Sequence, residues 1–251
     1  MAPTTETGTL SPRTDGGGAT STPRPLDIDV DPAIIGSWHR PLRLLSTPVR
    51  KRWLDVEVYD RENVPAEGKA IIVANHLSFL DSPLLMTEFD RPVTFLGKAE
   101  YMADRVTGYV FPRAGMIPVD RTGRGIAKSL GLAQRILEND GLVGIFPEGS
   151  RSRDGNLHRG HLGAAHLALK TGAPIIPVGI IGSAQAMPVD SKIPSRGARI
   201  LMRVGAPIGL GEYLGDRPTA ATKQALTDHV MAEIAELSGQ AVVDDYLPIP
   251  S

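Results

Sequence analysis

The stretch that decides the fold is Asn75-His76-Leu77-Ser78-Phe79-Leu80-Asp81, which lies between a predicted strand and a predicted helix. The strand is the apolar, β-branched run at 69–74, and such runs are typical of buried strands. The helix begins near Ser82-Pro83, where a favourable N-cap residue is followed by a proline at the first helical position. His76 and Asp81 are therefore predicted to lie in a strand-to-helix turn.

The side chains of His76 and Asp81 form a candidate acid–base pair. On one continuous helix they would not face each other, because helical neighbours are three or four residues apart. In a turn they can meet, and a carboxylate on one imidazole nitrogen leaves the other nitrogen free to take a proton near neutral pH. The pair alone is equally consistent with a buried histidine that merely caps the turn.

Three further blocks follow the first one along the chain. They are Gly-Met-Ile-Pro-Val-Asp-Arg at 115–121, Phe-Pro-Glu-Gly-Ser-Arg-Ser at 146–152 and Ala-Pro-Ile-Ile-Pro-Val-Gly at 173–179. In order and spacing, the four blocks resemble those of the glycerolipid acyltransferases, the 1-acyl-sn-glycerol-3-phosphate acyltransferase family. A lone HxxxxD motif is weak evidence, whereas four ordered blocks are specific. The resemblance does not reach the N-terminal tail or the chain beyond about Gly209.

The resemblance implies an enzyme of phospholipid synthesis. It implies transfer of a fatty acyl group from acyl-CoA or acyl-carrier protein to the free hydroxyl of 1-acylglycerol 3-phosphate, which gives phosphatidic acid, with no metal and no cofactor. For this chemistry His76 is the candidate base and Asp81 orients it. Direct attack is expected, since no G-x-S-x-G nucleophile elbow occurs. Three alternatives stay open: another lysolipid or glycolipid acceptor, an inactive membrane-binding module with the same fold, and a hydrolase.

The acceptor of the resembled family carries a phosphate, and this implies a substrate-binding set. Arginine suits phosphate because its planar guanidinium bonds two oxygens at once, so Arg151 and Arg121 are the candidates. Glu148 is expected either to hold Arg151 in place or to bond a glycerol hydroxyl, and Gly149 allows close backbone approach. Ser150 stands where the family more often has threonine, and both residues carry a hydroxyl. The predicted set is Lys98, Arg121, Glu148, Gly149, Ser150 and Arg151, with Lys98 the weakest member.

The composition excludes several classes of function. The 251 residues carry a formal net charge of -1, so no overall field suggests nucleic acid as a partner. The absence of cysteine rules out disulfides, thiolate zinc sites and a cysteine nucleophile. His158, His161 and His166 do not share one helical face and have no acidic residue among them, so no metal site is predicted.

The N-terminal part of the chain is predicted to contain a tail and a basic segment. Residues 1–31, rich in Thr, Ser, Gly and Pro, are expected to be a disordered tail. Residues 32–53 interleave apolar and basic side chains, which is typical of an amphipathic helix on an anionic membrane surface. Packing of this helix against the domain is the alternative, and Pro41 and Pro48 are expected to interrupt any long helix. With no signal peptide and no apolar run near the ~20 residues of a spanning helix, we expect a peripheral protein on the cytoplasmic face of the plasma membrane.

Residues 54–238 are predicted to form the acyltransferase domain. Strand patterns at 54–59, 69–74, 92–97, 115–119, 142–146, 174–181 and 199–204 alternate with helical patterns, notably 125–139, 158–169 and 218–237. This alternation indicates an α/β fold with a central mixed sheet covered by helices, and the four blocks are expected to converge at one edge of the sheet. Residues 239–251 are expected to be a loose C-terminal tail.

Overall fold

The structure is a computed structural model that describes residues 34–98, 102, 105–119, 123–191, 193–214 and 218–248. At the centre of this described part lies one sheet of seven strands. The strand order is β1-β7-β6-β2-β5-β3-β4. The strands are β1 (Leu54–Tyr59), β2 (Ala70–Ala74), β3 (Val93–Lys98), β4 (Met116–Val119), β5 (Leu142–Ile145), β6 (Ile175–Ile181) and β7 (Ala198–Val204). All neighbours are parallel except β6 and β7, which are antiparallel. The predicted mixed sheet is confirmed.

Helices cover both faces of this sheet. They are α1 (His39–Trp53), α2 (Asp81–Glu88), α3 (Arg105–Ala114), α4 (Gly123–Glu138), α5 (Gly163–Thr171), α6 (Ser183–Ala186) and α7 (Ala220–Ser238). On one face, α4, α5 and α7 pack on Ile71 and Val73 of β2. On the other face, α2 packs on Ile72 and its neighbours. Burial on both faces explains why β2 is a continuous apolar run rather than an alternating one.

The order of the strands brings two of the four sequence blocks side by side. β2 pairs in parallel with β5, with Val73 opposite Ile145, so the first and third blocks leave the sheet at the same edge. β6, which carries the fourth block, is the other parallel neighbour of β2. Parallel strands place the residues that follow them at one edge of the sheet. The first and third blocks therefore meet at one edge as expected, and the fourth block forms β6 beside them. The end of the second block lies outside the described residues.

Helix α1 lies within the predicted basic segment and packs against the domain more than expected. The helix continues through Pro48, and its packing on α2 and β1 compensates for the hydrogen bond that proline removes. Arg50 forms an ion pair with Glu88 of α2, with only 14% and 5% of these side chains exposed. Arg50 belongs to the segment predicted to lie on an anionic membrane, and this contact within the protein favours the packing alternative for that residue. Leu44 and Leu45, by contrast, are exposed.

No helix in the described ranges combines the length and the apolar character needed to cross a bilayer.

The chain after α7 differs from the predicted loose tail. Residues 240–246 lie alongside residues 157–159, with a parallel bridge between Leu157 and Val242. The backbone N–H of Arg159 donates to the Asp245 carbonyl at 2.9 Å. This N–H is therefore not available for a hydrogen bond within a helix, although residues 158–169 are predicted to be helical. Helix α5 consequently begins at Gly163 rather than at His158. The predicted disordered tail, residues 1–31, lies outside the described residues.

Candidate active site

His76 lies in the turn between β2 and α2, and its side chain meets that of Asp81, the first residue of α2. The Nδ1 atom of His76 lies 2.9 Å from Oδ2 of Asp81, whose side chain is fully buried. The same oxygen accepts the backbone N–H groups of Leu77 and Ser78 at 2.7 and 2.8 Å. Because a carboxylate can only accept, Nδ1 carries the proton and Nε2 is the nitrogen free to act as a base.

The imidazole ring is fixed by stacking as well as by this hydrogen bond. The His76 and Phe146 rings stack with centroids 3.9 Å apart and planes 11° apart. The His76 side chain keeps 16% of its surface exposed, and it lines a cavity. The base nitrogen is therefore held rigidly at a surface that a substrate can reach.

Two polar residues of the first block hold the turn to neighbouring main chain. The Asn75 amide donates to the Ile180 carbonyl at 2.8 Å and accepts the Ile180 N–H at 2.7 Å. The Ser78 hydroxyl donates to the Met187 carbonyl at 2.7 Å. Both side chains are buried, so the turn is attached to β6 and to the chain that follows it. The sequence placed these residues in the motif but did not indicate their partners.

The cavity beside His76 has a volume of about 660 Å³, within the usual range for ligand sites. Its apolar walls include Phe95, Leu96, Met116, Ile126, Leu130 and Phe146. Cationic side chains also line it, from Arg151 of the third block, from Arg153 just after that block and from Lys223 of α7. Such a cavity can hold an apolar chain and an anionic group at the same time. Lys223 was missed because it belongs to no motif and lies far along the chain from the four blocks.

Three members of the predicted substrate-binding set line this cavity with His76. They are Gly149, Ser150 and Arg151. Gly149 has a φ of +72°, a conformation that favours glycine. Lys98 ends β3, but its side chain lies outside the described part of the structure, as does the whole of Arg121. Their roles stay predictions.

Glu148 has a different position from the one expected. It is fully buried, and its Oε1 and Oε2 accept the backbone N–H groups of His76 and His158 at 3.1 and 3.2 Å. This carboxylate therefore joins two stretches of main chain, rather than holding Arg151 or a glycerol hydroxyl as predicted. Burial raises the pKa of Glu148 to about 7, although the two backbone N–H groups act in the opposite direction.

The three histidines after the third block have separate surroundings. His158, expected to have no acidic partner, lies between Asp245 at 2.6 Å and Asp154 at 3.1 Å. Burial disfavours its charged form, but these two hydrogen bonds outweigh burial and raise the pKa of His158. His161 stacks on Tyr246, and His166 lies in the cavity wall. Within the described ranges, no group of three or more His, Cys, Asp or Glu residues is arranged to hold a metal ion.

Comparison with known proteins agrees with this geometry. A family model described as Acyltransferase matches residues 55–181. The chain is 29% identical over 154 residues to the chloroplastic 1-acyl-sn-glycerol-3-phosphate acyltransferase BAT2 of Brassica napus, covering 57% of this chain and 44% of that protein. It is 31% identical over 140 residues to the 1-acyl-sn-glycerol-3-phosphate acyltransferase alpha of Homo sapiens, covering 55% of this chain and 50% of that protein. The chain thus spans about half the length of these curated relatives.

A solved structure shares the fold. The crystal structure of the 1-acyl-sn-glycerophosphate (LPA) acyltransferase PlsC from Thermotoga maritima superposes with a TM-score of 0.61 and 21% identity, covering 78% of each chain.

Proposed function

The chain belongs to the acyltransferase family, and from this premise we propose that it transfers a fatty acyl group from a thioester to the free hydroxyl of 1-acylglycerol 3-phosphate. The product is phosphatidic acid, and the donor is acyl-CoA or acyl-carrier protein. The observation that carries the proposal is the His76–Asp81 pair in the wall of a cavity with both apolar and cationic walls. The names of the curated relatives support this choice of acceptor.

The geometry supports direct attack with His76 as general base. Nε2 of His76 takes the proton of the acceptor hydroxyl as its oxygen bonds to the thioester carbonyl carbon. Asp81 stabilises the imidazolium that forms. The tetrahedral intermediate then collapses, the C–S bond breaks, and the departing thiolate takes the proton back from the imidazolium. The products are the new ester and a free thiol.

Arg151 is the proposed partner of the acceptor phosphate. It lies in the cavity wall with His76, and the one hydrogen bond found for it among the described residues is a long contact of 3.5 Å to the Val189 carbonyl. A guanidinium that is weakly engaged by protein is available to form the bidentate bonds that phosphate prefers. Lys98 and Arg121 remain further proposed contacts of the substrate.

The proposal includes peripheral attachment to an anionic membrane, at the cytoplasmic face of the plasma membrane. Leu44 and Leu45 of α1 are 75% and 70% exposed, and Val106 of the neighbouring α3 is 70% exposed. Lys51 and Arg52 on α1 are also exposed, and each basic residue near an anionic surface contributes about 1 kcal/mol. Vesicle binding that falls with salt, and that Leu44→Ser with Leu45→Ser weakens, supports this part of the proposal. Unchanged binding of that double variant contradicts it.

The function is tested by product analysis. Purified protein is incubated with isotope-labelled acyl-CoA or acyl-carrier protein and a panel of lysolipids, and the lipids are identified by mass spectrometry. We expect labelled phosphatidic acid from 1-acylglycerol 3-phosphate, and only a small residual rate of labelling from the His76→Ala variant. Labelling of another lysolipid instead would change the acceptor, and free fatty acid would indicate a hydrolase. No product from any acceptor would indicate an inactive module.

A further inference from the structure

The segment after α7 forms a strap, residues 240–246, that pairs with the chain leaving the third block. Leu157 N–H donates to the Ala241 carbonyl at 2.8 Å, and Val243 N–H donates to the Leu157 carbonyl at 3.0 Å. Asp244 and Asp245 carry the pairing further through contacts with Arg159 and His158. The family model ends at residue 181, so the strap lies outside the matched region and was not identified from the four blocks.

The first residue of the strap directly contacts residues 75–81, which we call the catalytic turn because they carry His76 and Asp81. Oε1 of Gln240 accepts a hydrogen bond from the Asn75 amide at 2.7 Å, and Nε2 of Gln240 donates to the Gly155 carbonyl at 2.8 Å. Asn75 is completely buried and directly precedes His76. Its Nδ2 therefore has two acceptors, one in β6 and one in the strap. Removing Gln240 leaves one N–H of a buried amide without its partner.

A second path joins the strap to the same turn. The ring of His158 bonds the Asp245 side chain, and the backbone N–H of His158 bonds Glu148. The other oxygen of Glu148 accepts the backbone N–H of His76. On the amino side of His76, Gln240 thus holds the side chain of Asn75, and Glu148 holds the backbone N–H of His76 itself. On its carboxyl side, Asp81 holds the next two N–H groups.

We propose that Gln240 is a positioning residue for His76, and that the strap holds the catalytic turn in the geometry that acyl transfer requires. This inference rests on the proposed function. Neither Gln240 nor Glu148 lies among the residues that line the cavity, so neither acts by touching substrate there. The effect runs through main chain, where a displacement of about 1 Å at a reacting group costs roughly 100-fold in rate.

The test compares three variants of the full chain, two at Gln240 and one control at Asp244. Gln240→Met keeps the shape of the side chain but loses both hydrogen bonds. Gln240→Glu keeps an acceptor for Asn75 and loses the donor to Gly155. Asp244→Asn is the control on the strap, because Asp244 has 92% of its side chain exposed and pairs only with Arg159 among the described residues. Each is assayed with acyl-CoA and 1-acylglycerol 3-phosphate, and its melting temperature is measured.

We expect Gln240→Met to lower kcat by about 10–100-fold, with KM for both substrates changed less than about threefold. Gln240→Glu should recover part of the loss, and Asp244→Asn should match the wild type. In a His76→Ala background, Gln240→Met should have no further effect on the residual rate, because its contribution passes through the histidine. This non-additivity separates positioning from a general loss of folded protein.

The outcomes that overturn the inference differ from those that overturn the function. If the wild type makes phosphatidic acid and a folded Gln240→Met variant keeps its kcat, the strap has no positioning role although the function stands. An equal loss in the wild-type and His76→Ala backgrounds also overturns the inference, since it shows a general effect on folding. If Gln240→Met does not fold, the same comparison is made with Gln240→Ala, which also loses both hydrogen bonds and whose wild-type kcat would overturn the inference. An inactive wild type contradicts the proposed function itself.

Discussion

Replacing Asp81 with asparagine is expected to separate the chemistry of the catalytic turn from its fold. Oδ2 of Asp81 accepts from Nδ1 of His76 and from two backbone N–H groups. An amide oxygen at that position keeps the two backbone bonds, so the turn is retained. The new NH₂ group takes the place of Oδ1, which is buried without a hydrogen-bond partner among the described residues.

The expected magnitudes follow from these contacts. An unsatisfied buried NH₂ group costs about 1–3 kcal/mol of stability, which lowers the melting temperature by about 2–12 °C for a domain of this size. The neutral amide cannot stabilise the imidazolium of His76, and when its NH₂ faces Nδ1 it selects the wrong tautomer. We therefore expect Asp81→Asn to lower kcat by about 10²–10⁴-fold. Asp81→Ala orphans all three donors, so it should destabilise the fold by about 3–5 kcal/mol.

The assay measures kcat with labelled acyl-CoA and follows thermal unfolding of the same preparations. Asp90→Asn is the matched control, since Asp90 lies just beyond the carboxyl end of α2, with a side chain 78% exposed and paired to Arg43. It should keep activity within about twofold, because exposed ion pairs contribute at most about 1 kcal/mol. If folded Asp81→Asn retains more than about a tenth of the wild-type kcat, the assignment of Asp81 as the group that orients His76 is wrong.

Three further substitutions test the phosphate site, the packing of α1 and the cavity wall. Arg151→Ala should raise KM for 1-acylglycerol 3-phosphate by about 10–100-fold and KM for acyl-CoA much less, since a charged hydrogen bond contributes about 1.5–3 kcal/mol. Arg151→Lys should restore only part of the affinity for this acceptor. Arg50→Ala leaves the buried carboxylate of Glu88 without its closest cation, so thermal unfolding should show a loss of about 3 kcal/mol. Gly144→Ala brings a methyl group against the buried Phe95 ring, which also lines the cavity, so stability should drop by about 1–3 kcal/mol. Activity with long-chain acyl-CoA should also fall if the displaced ring narrows the cavity.

Each of these three predictions would be contradicted by a specific result. Equal changes in both KM values would remove Arg151 from the phosphate site. Loss of vesicle binding at an unchanged melting temperature would make Arg50 a lipid contact rather than a partner of Glu88. Unchanged stability and chain-length preference in Gly144→Ala would show that the Phe95 ring has room to shift without narrowing the cavity.

The sequence by itself determined the features that depend on neighbours in the chain. The β-branched run of β2 and the Ser82-Pro83 signal predicted a turn that brings His76 and Asp81 together, and the structure joins them at 2.9 Å. The helix begins at Asp81, one residue before the predicted N-cap. The alternation of strand and helix patterns gave the α/β class. These predictions succeeded because periodicity, capping and turn preferences act over a few residues.

Only the tertiary structure decided which distant groups meet. Glu148 bonds the backbone of His76, Arg50 pairs with Glu88, and Gln240 reaches Asn75 across 165 positions of the chain. None of these contacts leaves a local pattern, because each depends on how elements that are distant in the chain pack together. The strap shows the same limit, since a short segment of mixed composition at the end of the chain, with Pro248 and Pro250 nearby, is typical of a free tail. Its backbone partners are residues 157–159, which only the folded structure places beside it.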